Sequence, residues 1–128
     1  MLNMRKSRLA IWLFSALLVI GPACDYLNVR RKENRLVDVV DQLGGKTRSI
    51  PAWPLGTEYQ ITLPRVPDSE ELKRLAIANQ LRGWVGIAFD DCQISQQQKM
   101  VLERMLSRCR LFVLEGDRLQ PLRFDESQ

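Results

Sequence analysis

An α/β fold is predicted for this chain: an N-terminal transmembrane helix, a juxtamembrane amphipathic helix, then a short parallel βαβαβ array of repeat-like units. Three observations predict it. Residues 9–24, LAIWLFSALLVIGPAC, form the one long uncharged apolar run. Leu36, Val39, Val40 and Leu43 then recur at i, i+3, i+4 and i+7, the spacing of a single helix face. Beyond them, three short aliphatic or aromatic segments alternate with helix-like stretches. The chain divides accordingly into residues 1–27 (signal anchor or transmembrane helix), 28–45 (amphipathic helix) and 46–128 (repeat-like domain).

Arg5, Lys6 and Arg8 precede the apolar run and Asp25 closes it. Basic residues, an apolar core and the small residues Gly21-Pro22-Ala23 also suit a secretory signal cut near residue 23. A lipoprotein signal would instead make Cys24 the lipidated residue. The third reading is an uncleaved anchor. Sixteen residues rise about 24 Å, short of the ~30 Å hydrocarbon core. Tyr26 and Leu27 extend the run, so residues 9–27 are assigned to the lipid bilayer. Three basic residues lie before the span and four (Arg30, Arg31, Lys32, Arg35) after it, a near tie for the positive-inside rule. Early targeting signals usually keep the N-terminus inside, which makes a single-pass protein with an exported body the expectation.

Composition narrows the function. Residues 1–45 carry seven Lys/Arg against four Asp/Glu, and residues 46–128 carry twelve against eleven. The surplus flanks the apolar run and leaves the body near neutral, so no nucleic-acid partner is expected. The chain has no histidine, which removes the commonest general base and zinc ligand. Cys24, Cys92 and Cys109 are an odd number without CxxC spacing, so neither a disulfide framework nor a metal site is expected. No cofactor or small-molecule substrate is predicted.

The three apolar segments share a template: Tyr59-x-Ile61-x4-Val66, Ile87-x-Phe89-x4-Ile94 and Phe112-x-Leu114-x4-Leu119. Their first positions are 28 and then 25 residues apart, within the roughly 20–29 residues of leucine-rich repeats. Three residues after each second anchor stand Pro64, Cys92 and Asp117. A repeat wants Asn or Cys there to meet the turn backbone, and Cys92 conforms. Asp68-Ser69-Glu70-Glu71 opens one intervening helix with capping and acidic residues, and Ser95 opens the next. Strand, helix, strand in succession implies parallel strands joined by right-handed crossovers. Gly44-Gly45 terminates the helix before them.

Asn28-Val-Arg-Arg-Lys, the stretch Val37–Gly45, Val66-Pro-Asp68, Cys92-Gln-Ile94-Ser95 and Leu106–Phe112 together resemble small bacterial membrane-anchored leucine-rich-repeat proteins of the degenerate, cysteine-containing variety. Trp84, Ser95-Gln96 and the stretch Glu58–Arg65 depart from that pattern. The resemblance implies an anchored leucine-rich-repeat solenoid; an unrelated compact α/β domain is the alternative. Three strands and two helices are marginal for burying a solenoid core, so helix 28–43, whose apolar stripe needs a surface to cover, is expected to cap one end.

Residues alternating with the inward anchors would line the exposed sheet face. Thr62, Ala88, Asp90, Asp91, Val113 and Glu115 are therefore the candidate partner-binding face. Asp90, Asp91 and Glu115 at the strand ends would suit acid–base work or Ca²⁺, or be solvated turn residues. Trp53 reads either as a binding aromatic or as packing over the sheet. The expected function is non-enzymatic, protein–protein interaction or structural, with an unidentified protein partner. The alternative is a small envelope lipoprotein or secreted accessory subunit with a processed N-terminus.

Overall fold

The computed structural model describes residues 2–122. Leu2–Gln42 form one uninterrupted helix, α1, with Pro22 inside it. Pro22 lacks the N–H that would bond one turn back, but residues 25–30 contain no Gly or Pro, so nothing breaks the backbone where the apolar run ends. The helix changes character along its length. Residues 3–24 are exposed all round, whereas Leu36, Val39, Val40 and Leu43 are buried. It stops in a Schellman motif. Gly44 takes φ +75, its N–H donates to the Asp41 carbonyl (3.1 Å), and the Gly45 N–H donates to the Val40 carbonyl (2.9 Å).

Five strands follow, β1 (Lys46–Ile50), β2 (Glu58–Leu63), β3 (Val85–Asp90), β4 (Arg110–Glu115) and β5 (Arg118–Pro121). They form one sheet in chain order, β1-β2-β3-β4-β5. A short helix α2 (Ser69–Leu75) with a 3₁₀ turn (Ala76–Gln80) joins β2 to β3, and α3 (Gln96–Met105) joins β3 to β4. The middle three strands are parallel as expected. The flanking pairs β1–β2 and β4–β5 are antiparallel, so the sheet is mixed rather than wholly parallel. Connection length dictates this. Parallel neighbours need a crossover of a dozen or more residues, and only residues 51–57 and Gly116-Asp117 are available at these two places.

The register rows Ile61–Ile87–Leu111 and Leu63–Phe89–Val113 face the helices. Leu36 and Val40 of α1, Leu72 and Leu75 of α2, and Leu102 and Leu106 complete that core. The expected anchors Phe112 and Leu114 therefore point the other way. Leu111–Leu114 is an unbroken apolar run with no alternation to fix its parity. Leu122 fixes it, since its N–H donates to the Leu111 carbonyl (2.9 Å) and its side chain is buried beside Leu111. In β2 the aligned pair is Ile61 and Leu63, one step along from Tyr59 and Ile61.

Both helix starts are capped as their sequences suggest. Asp68 and Glu71 form a reciprocal capping box, as do Ser95 and Gln98. Asn79 ties the two crossovers together. Its amide donates to the Met105 carbonyl (2.7 Å) and its oxygen accepts the Arg108 N–H (3.1 Å). On the other side of the layer, the buried Glu33 carboxylate of α1 lies 3.8 Å from Arg30 and beside Tyr59 of β2. Burial, reinforced by that carboxylate, pushes the Tyr59 hydroxyl up to about 12.

Glu71 also receives two hydrogen bonds from Arg65, at 2.7 and 2.6 Å. That pairing, against the opposing effect of burial, brings its carboxyl from an ordinary 4.5 to about 2. A carboxyl held low in the folded state contributes stability above its unfolded value and loses it as pH falls through the folded one. The domain is thus expected to weaken between about pH 4.5 and about pH 2. Glu71→Gln should flatten this dependence while lowering the urea midpoint at pH 7. Equal midpoint-versus-pH curves for the two proteins would contradict it.

Candidate functional site

All helix residues buried in the core pack on one face of the sheet, and among the described residues no element covers the other. That open face carries Lys46 and Arg48 from β1, Gln60 and Thr62 from β2, Ala88 and Asp90 from β3, and Arg110, Phe112 and Leu114 from β4. Register places them side by side: Lys46 opposite Thr62, Thr62 beside Ala88, Ala88 beside Phe112, Asp90 beside Leu114. One half is polar. Lys46, Arg48, Gln60, Thr62, Pro64 and Asp90 rim a depression of about 270 Å³. The other half is apolar, with half-buried Phe112 and Leu114 beside exposed Leu119.

Trp84 closes the face at the start of β3. Its ring lies against Gly86, where a Cβ would stand 2.6 Å from the indole, so only glycine admits the ring there. The Arg110 guanidinium sits 5.7 Å from the same ring centroid, a cation–π contact that holds the indole in place.

Of the expected partner-face residues, Thr62, Ala88 and Asp90 share this surface. Val113 and Glu115 do not, and the expectation for them is corrected. Pairing of Phe89 with Val113 turns Val113 toward the core, and Glu115 follows on the same side. Those two border a separate depression of about 300 Å³ with Cys92, Lys99 and Gln120. Asp91 occupies the tight turn after β3 at φ 54, a left-handed conformation that Asp tolerates. Its N–H continues the ladder to the Leu114 carbonyl (3.0 Å). Asp90, Asp91 and Glu115 therefore do not converge, and no group of three metal-ligating side chains occurs among the described residues.

Lys46, Arg48, Phe112 and Leu114 were missed by sequence reasoning. The alternation in Lys46-Thr47-Arg48-Ser49 was the available signal for the first two. No comparable signal set the parity of β4.

The thiols are quiet. Cys92 donates to the carbonyls of Asp90 (3.2 Å) and Pro64 (3.6 Å). Burial and the nearby Asp90 and Asp91 raise its pKa. Burial pushes Cys109 up to about 11. Both stay protonated at neutral pH, which suits packing and not nucleophilic attack. Cys24 stands exposed on α1, where the apolar run ends.

Comparison of the chain with protein-family models, with curated proteins and with solved structures returns no match. The fold is a mixed α/β domain carried on a long apolar N-terminal helix. That helix is long and apolar enough to cross a membrane, properties a signal sequence shares.

Proposed function

We propose that this is a single-pass membrane protein whose body is a short, capped leucine-rich-repeat-like array that binds another protein through its open sheet face, without catalysis. The observation that carries the reading is one-sided burial. Among the described residues the helices cover one face of the sheet, which leaves half-buried Phe112 and Leu114, over the small buried Ala88, beside a rim of opposite charges, Lys46 and Arg48 against Asp90. Apolar centre and charged edge are the makeup of a protein interface.

Support for the repeat reading comes from spacing and from one thiol. The aligned residues Ile61, Ile87 and Leu111 are 26 and 24 residues apart, and Cys92 reaches back 28 residues to the Pro64 carbonyl. The C-terminal half of α1 packs on the first unit as a terminal cap would. The early position of the apolar run supports an exported body.

Photo-crosslinking in cells tests the interaction. A photoreactive residue at Phe112 or Thr62 is expected to give a discrete adduct that the same residue at Gln97, on the helical side, does not. Adducts from Gln97 alone would place the interface on the helices and end this reading. Intact mass of the membrane-extracted chain decides the N-terminus in the same sample: lipid on Cys24 would replace the anchor with the small-lipoprotein alternative.

A further inference from the structure

The body is fixed to α1 at the level where the apolar run ends. Arg82 donates to both carboxylate oxygens of Asp25 (2.6 and 2.9 Å) and to the Pro54 carbonyl (3.1 Å). One residue on, Tyr26 meets Trp53 edge to face, with ring centroids 5.8 Å apart at 86°. The β1–β2 loop, residues 51–57, is thereby held beside residues 25 and 26 of the helix.

From Leu9 to Leu27 the helix rises about 28 Å, close to the ~30 Å thickness of a hydrocarbon core. If α1 crosses a bilayer, residues 25–27 stand at the lipid–water boundary, and the loop stands there with them. Its side chains suit that place. Leu55 is 82% exposed and Trp53 44%, and Ile50, the last residue of β1, is 62% exposed; water disfavours such apolar surface and the interfacial layer accepts it, tryptophan above all.

The rest of that end of the domain agrees. Because β2, β3 and β4 run parallel, their starts lie together. Arg108 and Arg110 stand at or just before the start of β4 and Arg82, paired with Asp25, just before β3, while Glu58 opens β2; Asp90, Asp91 and Glu115 lie at the far ends. Three arginines against Glu58 and the paired Asp25 leave a small positive excess beside an apolar loop, which suits anionic headgroups over hydrocarbon.

We propose that the β1–β2 loop is a second membrane contact, with Trp53 and Leu55 seated in the interfacial layer of the bilayer that α1 crosses. The strand starts then face the lipid, and Asp90, Asp91 and Glu115 at the far strand ends face away. This inference rests on the membrane-spanning reading of α1, and the experiment separates the two.

The full chain is placed in vesicles of zwitterionic and anionic phospholipid, with lipids brominated either near the headgroup or deep in the acyl chain. Two single-tryptophan variants are compared: Trp53 alone (Trp12→Phe, Trp84→Phe) and Trp12 alone (Trp53→Phe, Trp84→Phe). Trp53 is expected to lose at least half its emission to the shallow bromines and little to aqueous iodide, while Trp12 is also quenched by lipid. Trp12 quenched by lipid, with Trp53 quenched only by iodide, would overturn the loop contact and leave the span standing. Trp12 untouched by any brominated lipid would overturn the span and the inference with it. Should Trp84→Phe disturb the fold, a nitroxide at Leu55→Cys in a Cys24→Ser chain with native tryptophans gives the same answer. Oxygen collisions should exceed those with a water-soluble nickel complex there, and not at a control nitroxide on Leu119→Cys. Equal water exposure at both positions overturns the proposal.

Discussion

Phe89→Ala is expected to destabilise the domain by about 3–5 kcal/mol, read as the shift in urea midpoint of the full chain in mild detergent. Phe89 is fully buried in the central strand, between Leu63 and Val113 in the row under the helices. It is also the largest of the completely buried side chains. Parallel strands on either side and helices above leave little freedom for the site to collapse around the missing ring. Phe112→Ala offers the contrast. That ring is half-buried on the open face, so its loss should cost roughly 1 kcal/mol. Equal effects at the two positions would mean that the register of β4 against β3 is wrong.

Removing the C-terminal half of α1 should be as damaging. A chain beginning at residue 46 is expected to lack a cooperative unfolding transition, whereas one beginning at residue 24 should keep it. Leu36 and Val40 are fully buried and Val39 and Leu43 nearly so. Burying each is worth about 1.5–3 kcal/mol, so the four together rival the whole 5–15 kcal/mol stability of an ordinary domain. The longer chain also keeps the Asp25–Arg82 pair and the Tyr26–Trp53 contact. Near-ultraviolet circular dichroism and denaturant titration of both fragments provide the measurement. A folded 46–128 fragment would show that the helix rides on the sheet without holding it together. Folding of the 24–128 fragment also means that a cut near residue 23 would leave the body intact, so neither fate of the N-terminus conflicts with the structure.

Elements whose formation rests on local chemistry were legible in the sequence. Gly44 and Gly45 end α1 because an apolar helix face meets two residues free to take the left-handed turn. Asp68 and Ser95 start α2 and α3 because each finds its capping partner three residues on. The three parallel strands were visible as apolar segments joined by crossovers. What stayed hidden depends on distant contacts. β1 and β5 read as polar stretches, since their pairing comes from the neighbouring strand and not from an apolar face of their own. In β4 four apolar residues in succession left the choice of face to Leu122, beyond the next turn. That choice displaced Val113 and Glu115 from the candidate surface and put Phe112 and Leu114 on it. The polar half of the surface was half visible. Thr62 and Asp90 could be placed from alternation, but Lys46 and Arg48 could not be placed before β1 was known.

The two outermost strands run against the three between them, and both are ill suited to pairing with a further strand. An incoming strand at one margin would meet Lys46 and Arg48. At the other, Pro121 in β5 offers no amide hydrogen for a new ladder. Both margins are thus poor templates for growth. Among the described residues the sheet therefore ends, on both sides, in strands that discourage a sixth.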